Sequence, residues 1–349
     1  MRILVYADLH AAEGHERLRS DPSIPLQRSR VCSFYRDCAK IIQERHVDAV
    51  WDLGDTTNDR TSIPIPTIDV LEQGISLLPR SEANIKLIGN HEQFLSNTSV
   101  HLGRMYASRF SVVENFDAFN VEGTVVVAFA YPNSYDELSS TIRDTLQVLR
   151  HEYSRIIVIG HCDVVGASLG SGLSLGGLSP IDFKQADLVL LGHVHKAQTI
   201  SGEKIRYVGS PFPQNYGERE LDKGVCIVDT NTLEVEHVPL TGYPRYDEVD
   251  YLEWSDTHGN SEDRYRVRLS SPEQASEFYA NPHSADATPV IAYGPSLGSS
   301  EGRLDVSTEA SLQETLESWV NSHPLTLGDQ PVPPQCLLEC GLSIVNSGN

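Results

Sequence analysis

Five apolar runs in this chain end in residues that bind metals or move protons, and that recurrence limits the folds open to it. Met1-Arg2-Ile3-Leu4-Val5-Tyr6 leads into Asp8 and His10. Ala49-Val50-Trp51-Asp52-Leu53 ends in Gly54-Asp55, and Ile85-Lys86-Leu87-Ile88 ends in Gly89-Asn90-His91-Glu92. Ile156-Ile157-Val158-Ile159 ends in Gly160-His161, and Asp187-Leu188-Val189-Leu190-Leu191 ends in Gly192-His193-Val194-His195. Short apolar runs closed by glycine read as buried strands. Helical spacing between them, over 30–46, 66–78 and 135–153, makes the chain an α/β protein. Residues just past strand ends face the crevice where open α/β sheets bind ligands. His193 and His195 share one side if the chain stays extended there.

Each residue has an ordinary reading alone. His161 could be a buried structural histidine, Asp8 a turn cap, and Asn90 a turn residue. Taken together, two carboxylates, an amide and several imidazoles form a mixed nitrogen and oxygen ligand set. Such a set suits manganese, iron or zinc better than magnesium or calcium alone, and the lack of thiolates argues against a structural zinc. Asp55 can bridge two ions with its two oxygens. Two ions roughly 3.5–4 Å apart clamp a phosphoryl group and activate a water.

These motifs resemble those of the calcineurin-like metallophosphoesterases. The matching residues are Asp8-x-His10, Gly54-Asp55, Gly89-Asn90-His91-Glu92, Gly160-His161 and Gly192-His193-x-His195, over about residues 1–240. The resemblance implies a four-layer α/β/β/α sandwich with two divalent ions at the strand ends. It implies one ion on Asp8, His10, Asp55 and His195, and a second on Asp55, Asn90, His161 and His193. His91 is then the catalytic histidine that approaches the substrate without binding metal. Manganese is the expected metal, with iron or zinc as alternatives.

Within that family the chain resembles the SbcD-type DNA-repair nuclease subunits, including phage versions. The residues are His193-Val194-His195-Lys196-Ala197-Gln198, Ile205-Arg206-Tyr207-Val208-Gly209-Ser210-Pro211, Gln214-x-x-Gly217-Glu218 and Lys223-Gly224-Val225. This implies an exo- or endonuclease with DNA as substrate, an SMC-like ATPase of the SbcC type as partner, and a homodimer. A hydrolase of small phosphoesters, such as a cyclic-nucleotide phosphodiesterase or a phosphatase, is the alternative. Three positions depart from the SbcD pattern: Asn58 where His or Asp is common, Glu92 for Asp, and Ala11-Ala12 for Leu-Gly. None removes a metal ligand.

The expected organisation is a metallophosphoesterase domain over 1–242, a small α+β capping domain over 243–325 and a flexible tail over 326–349. Tyr251–Trp254 and Arg264–Leu269 read as strands, 98–109 and 307–323 as helices, and Ile205–Val208 as an antiparallel-type strand. A Gly/Ser-rich loop over 166–179 is long enough to suspect a functional role. No apolar run can span a membrane. The six scattered cysteines read as reduced thiols in a cytoplasm, the host's if the chain is phage-encoded. The net charge is −21, and residues 245–349 carry only 5 Lys+Arg against 17 Asp+Glu. That acidic third is a poor surface for phosphate backbones.

Overall fold

Alternation along the first strand decides how the layers stack. In β1 (Arg2–Tyr6), Ile3 and Val5 face one apolar layer while Leu4 and Tyr6 face another. Both faces are buried, as a strand sandwiched between layers requires. The computed structural model describes residues 1–292, except residues 19, 95–99, 170–175, 203, 220, 258–261 and 282–286, together with residues 326–327 and 330–331. The chain divides into two units, Met1–Arg268 with Ser276–Val290, and Leu269–Ala275 with Ile291–Asn349.

After β1 come α1 (Leu26–Arg45), β2 (Ala49–Asp52), α2 (Ile65–Ser76), β3 (Ile85–Leu87) and β4 (Ser111–Val113). Next are β5 (Phe116–Val121), β6 (Thr124–Phe129), α3 (Tyr135–Leu149), β7 (Ile156–His161), β8 (Leu188–Gly192), β9 (Gln198–Ile200) and β10 (Ile205–Tyr207). Then β11 (Gly224–Asp229) and β12 (Val235–Pro239) follow. The first sheet has the order β12-β11-β1-β2-β3-β4 and the second β5-β6-β7-β8-β10-β9. Strands β1 to β4 run parallel, as do β6, β7, β8 and β10.

Ile3, Val5, Trp51, Ile85 and Leu87 of the first sheet pack against Val126, Ile157, Ile159, Leu188 and Leu190 of the second. On the outer face of the first sheet, Leu4, Tyr6 and Val50 meet Val31, Phe34 and Tyr35 of α1 and Leu71 and Ile75 of α2. On the outer face of the second, Val125, Val127 and Val158 meet Leu138, Ile142 and Leu146 of α3. The result is the expected α/β/β/α stack. Helix α3 is capped by the Ser134 hydroxyl, which accepts from Glu137 N, and Asp136 and Glu137 favour its first turn electrostatically.

Several local readings change. Ile205–Tyr207 pairs parallel to β8, and antiparallel only to β9, a strand that the sequence does not announce. The turn at Ser201 and Gly202, both at positive φ, closes that hairpin. Leu102–Tyr106 is a short 3₁₀ turn within the expected 98–109 helix, whose start lies outside the described residues. Tyr251–Thr257 is a helix, α4, and the strand precedes it as β13 (Tyr246–Asp250). With β14 (Arg264–Leu269) and β15 (Ala287–Ile291), β13 forms a three-stranded sheet; α5 (Pro272–Ala280) lies between the latter two in sequence. Thr326–Leu327 pairs antiparallel with Gln330–Pro331 where tail was expected. The expected 307–323 helix, part of the Gly/Ser-rich loop, Cys336 and Cys340 lie outside the described residues. Cys32, Cys38, Cys162 and Cys226 are free thiols. No helix among the described residues is long and apolar enough to cross a membrane.

Trp51 is fully buried between the sheets and donates through Nε1 to the Ala83 carbonyl at 3.1 Å. Trp51→Ala should cost about 3–5 kcal/mol of stability, seen as a lower denaturant midpoint. A loss under about 1 kcal/mol would mean that the inter-sheet layer repacks freely.

Candidate metal centre

The candidate ligands leave the sheets at tight turns. Asp8, His10, Asp55 and His193 all adopt positive φ, at 56°, 48°, 53° and 90°. L-residues avoid that region, and clusters of such residues mark functional sites. The turns are cross-braced. Asp8 N donates to the Gly54 carbonyl at 2.9 Å and His10 N to the Asp55 carbonyl at 3.0 Å. His193 N donates to Asp8 Oδ1 at 3.0 Å, and His91 N to Asp55 Oδ1 at 2.8 Å. A Cβ on Gly89 would lie 2.1 Å from Asp55 Oδ1, so only glycine admits the carboxylate there.

The eight residues converge. Three groups have ligand atoms mutually within 4.8 Å: Asp8, His10 and His195; His10, Asp55 and His91; Asp55, His161 and His193. Asn90 joins the last group, with Oδ1 3.2 Å from His161 Nε2 and 3.0 Å from His193 Nδ1. His193 and His195 do not act side by side. The φ of 90° at His193 turns the chain, so His193 meets Asn90 while His195 Nε2 lies 3.0 Å from His10 Nε2. Asp55 carries contacts on both oxygens. Its Oδ2 lies 3.4 Å from His161 Nε2 and 3.9 Å from His10 Nε2, while Oδ1 is occupied by His91 N.

Outer partners fix which nitrogen of His161, His195, His193 and His91 faces inward, whereas His10 Nδ1 is buried without a hydrogen-bond partner among the described residues. His161 Nδ1 donates to the Leu53 carbonyl at 2.6 Å, leaving Nε2 for the centre. His195 Nδ1 faces Glu218 Oε1 at 2.8 Å, again leaving Nε2. His193 Nε2 faces Asp163 Oδ1 at 3.2 Å, so Nδ1 points inward. Tyr135 steadies that carboxylate by donating to Asp163 Oδ2 at 2.7 Å. This is the second layer that metal-binding histidines use to fix tautomer and orientation. His91 Nδ1 donates to the Asn58 carbonyl at 2.7 Å, which leaves its Nε2 free. The departure at position 58 therefore leaves the His91 tether intact, because the main chain supplies the acceptor.

The donor set fits divalent ions. Inward-facing lone pairs of His195, His193 and Asn90 can hold a cation, and His10 Nε2, 3.0 Å from His195 Nε2, donates to that ring in one tautomer and offers a further ligand in the other. The alternative turns the Asn90 amide over, so that its nitrogen donates to both rings and its oxygen accepts from Arg60 Nη2 at 3.2 Å. Burial pushes His10 down to about 3, keeping it neutral and ready to bind metal. Burial would also lower His161, but the Asp55 and Asp8 charges outweigh it and raise the ring to about 9. Burial would raise Asp55, yet His161 and His10 hold it well below the usual carboxylate range. Without metal, His161 and Asp55 therefore form an ion pair, whose proton an incoming ion must displace.

A family model described as "Calcineurin-like phosphoesterase" matches residues 1–197. The chain belongs to the calcineurin-like phosphoesterase family. It is a phosphoester hydrolase of a family that uses a dinuclear metal centre. The SbcD component of the SbcCD nuclease of Escherichia coli is 35% identical over 96 residues, covering 26% of this chain and 24% of that one. The match thus spans about a quarter of that relative's length. Its counterpart in the SbcCD nuclease of Staphylococcus saprophyticus is 24% identical over 293 residues, covering 75% of this chain and 74% of that one. Exonuclease subunit 1 of Enterobacteria phage T4 is 28% identical over 122 residues, 32% of this chain and 35% of that one. A solved dimetal phosphatase from Danio rerio aligns over 65% of this chain and 91% of that one, at 11% identity and TM-score 0.40.

Two supporting groups lie behind the candidate ligands of this phosphoesterase; Lys86 carries no motif, while Glu218 and Lys223 stand in the SbcD-type motifs without a role read for them. Lys86, inside an apolar run, is fully buried with Nζ 3.1 Å from Asp52 Oδ1, 2.7 Å from Glu92 Oε1 and 2.7 Å from Thr56 Oγ1. Glu92 Oε2 in turn accepts from Gly89 N at 3.0 Å. Burial alone would lower the Lys86 ammonium, but Asp52 and Glu92 outweigh it and keep it charged. The triad ties the Asp55 turn to the Asn90–His91 turn. Behind His195, Glu218 Oε2 takes Lys223 Nζ at 2.6 Å, and Lys223 also donates to the His195 carbonyl at 3.0 Å. Burial would raise the Glu218 carboxyl, but His195 and Lys223 outweigh it and draw it down to about 2.

Lys86→Met removes the cation and leaves two carboxylates buried. A loss of about 3–5 kcal/mol is expected in denaturant titration. Unchanged stability would show that the triad contributes nothing net to the fold.

Proposed function

We propose that this phosphoesterase is a manganese-dependent DNA phosphodiesterase, the nuclease subunit of a complex with an SMC-like ATPase of the SbcC type, acting as a homodimer. The observation that carries the reading is the staphylococcal SbcCD relative that aligns over three-quarters of the chain. The phage exonuclease subunit supports it independently of the bacterial relatives. In this reading residues 1–242 carry the chemistry and the work is done in a cytoplasm.

Asp8, His10, Asp55 and His195 hold one ion; Asp55, Asn90, His161 and His193 hold the other. When bound, two such ions polarise a phosphoryl group and lower the pKa of a coordinated water. The protein supplies orientation and proton handling. With His91 Nδ1 tied to the Asn58 carbonyl, Nε2 is the nitrogen that can meet the leaving oxygen and give it a proton. The Asp55 contact with His91 N keeps that ring beside the centre. A small-phosphoester hydrolase is the second reading, favoured by the net charge of −21.

Protein reconstituted with Mn²⁺ should cleave labelled duplex or single-stranded DNA. Hydrolysis of bis-p-nitrophenyl phosphate with none of DNA would transfer the proposal to small phosphoesters. His91→Ala should retain both ions and lose on the order of 10²–10⁴ in rate. Asp55→Ala should lose both ions, and Asp8→Ala mainly one, by metal analysis. Full turnover by His91→Ala, or loss of its metal, would remove the proton-donor role.

A further inference from the structure

The start of the Gly/Ser-rich loop is pinned to the residues that follow His195. Gln198 Nε2 donates to the Ser168 carbonyl at 2.8 Å, and Gln198 Oε1 accepts from Ser168 N at 3.0 Å. Lys196 Nζ lies 3.5 Å from Ser168 Oγ. This two-bond clasp fixes the main chain at Ser168, and with it the next residue, Leu169, which is half-buried. On the other side Leu221 is held by its N–H, which donates to the Glu218 carbonyl at 3.1 Å. Leu169, Val194 and Leu221 form the apolar walls of a notch of about 290 Å³ beside His193 and His195. That is the small end of the roughly 300–1,000 Å³ that ligand sites occupy.

The neighbours of the notch decide what it can take. Two of them are the candidate ligands His193 and His195, so a group in the notch lies beside a phosphoryl group held at the centre. Glu218, also in its wall, is committed to His195 and Lys223. The surface left to a ligand is mainly apolar, which suits a group attached to the phosphate better than the phosphate itself. His91, the proton donor to the leaving oxygen, is not part of the notch, and that gives the notch to the ester that stays on phosphorus. We infer that the notch seats the nucleoside of the nucleotide that keeps the scissile phosphate, its base or sugar packed against Leu169 and Leu221. Every base has an apolar face, so such a seat grips nucleotides without reading sequence.

The inference rests on the DNA reading of this site, and separate readouts keep the two apart. Full-length protein loaded with Mn²⁺ is titrated by calorimetry with inorganic phosphate and with deoxyadenosine 5′- and 3′-monophosphates. Metal content and cleavage of labelled DNA are measured alongside. The better-bound mononucleotide should bind at least about 10-fold tighter than inorganic phosphate. Leu169→Ala and Leu221→Ala should each weaken that mononucleotide about 5- to 20-fold, the scale of a few methylenes withdrawn from apolar contact, while metal content and phosphate affinity stay at the wild-type level. Leu169→Met should restore most of the loss, and Val148→Ala, exposed on α3, should match wild type. Mononucleotides that bind no tighter than inorganic phosphate overturn the inference, whether or not DNA is cut. So does wild-type mononucleotide affinity in both leucine variants. Equal loss of phosphate and mononucleotide affinity in both also overturns it, since the leucines would then be supports for the histidines. Tight mononucleotide binding with no cleavage of DNA removes the DNA reading and leaves the seat in place.

Discussion

The hydrogen bond from His161 Nδ1 to the Leu53 carbonyl, 2.6 Å long, joins the two sheets at the edge where the chemistry sits. His161 ends a strand of the second sheet, and Leu53 follows a strand of the first. Neither sheet alone carries all the candidate ligands. The first delivers Asp8, His10, Asp55, Asn90 and His91; the second delivers His161, His193 and His195. Their spacing is set by the apolar layer of Ile3, Val5, Trp51, Ile157 and Leu190, since facing sheets pack about 10 Å apart. Gly54, at φ 103°, completes the join: a Cβ there would lie 2.6 Å from His161 Nδ1. The candidate metal centre is thus a consequence of how the sandwich closes.

Charge is handled in layers around that join. The inner layer mixes carboxylates with imidazoles, and outer partners fix the tautomers of His161, His193 and His195. The next layer holds Glu218 and Asp163 against histidines, with Lys223 and Tyr135 behind them. Lys86 plays the same part beneath the turns, where Asp52 and Glu92 would otherwise be buried unpaired. Removing one member of such a pair costs more than the pair contributes, because the survivor stays desolvated. The layers therefore hold the ligands in place without adding much to net stability.

What the sequence displays is the inner layer. Asp8, His10, Asp55, Asn90, His161, His193 and His195 each follow an apolar run, and local order suffices to bring them to one sheet edge. Lys86 stays hidden because a charged residue inside an apolar run reads as solvent-facing. Its partners, Asp52 34 positions away and Glu92 six away, come near only through strand pairing. Ile205–Tyr207 eludes a local reading for a related reason: direction of pairing depends on which strand it reaches, β8, and no local pattern states that. Tyr251–Trp254 carries strand-favouring aromatics, yet the segment turns helical and buries Tyr251 and Trp254 along one side, where Trp254 meets Phe278 at 5.0 Å. Alternation puts His193 and His195 together, and one positive φ separates them.

That positive φ belongs to a set, and the set links metal to fold. Asp8, His10, Asp55 and His193 each occupy a region that costs of order 1 kcal/mol or more for an L-residue. The cost persists only where surrounding contacts over-determine the conformation. Here they do: Asp8 is held by Gly54 and His193, His10 by the Asp55 carbonyl, and Asp55 by His91 N. Each of those bonds runs from one ligand turn to another. The strained turns therefore support one another, and relaxing any one would release its neighbour's contact. Mutual support of this kind presents the ligands already assembled, so an ion's binding energy need not be spent on ordering them.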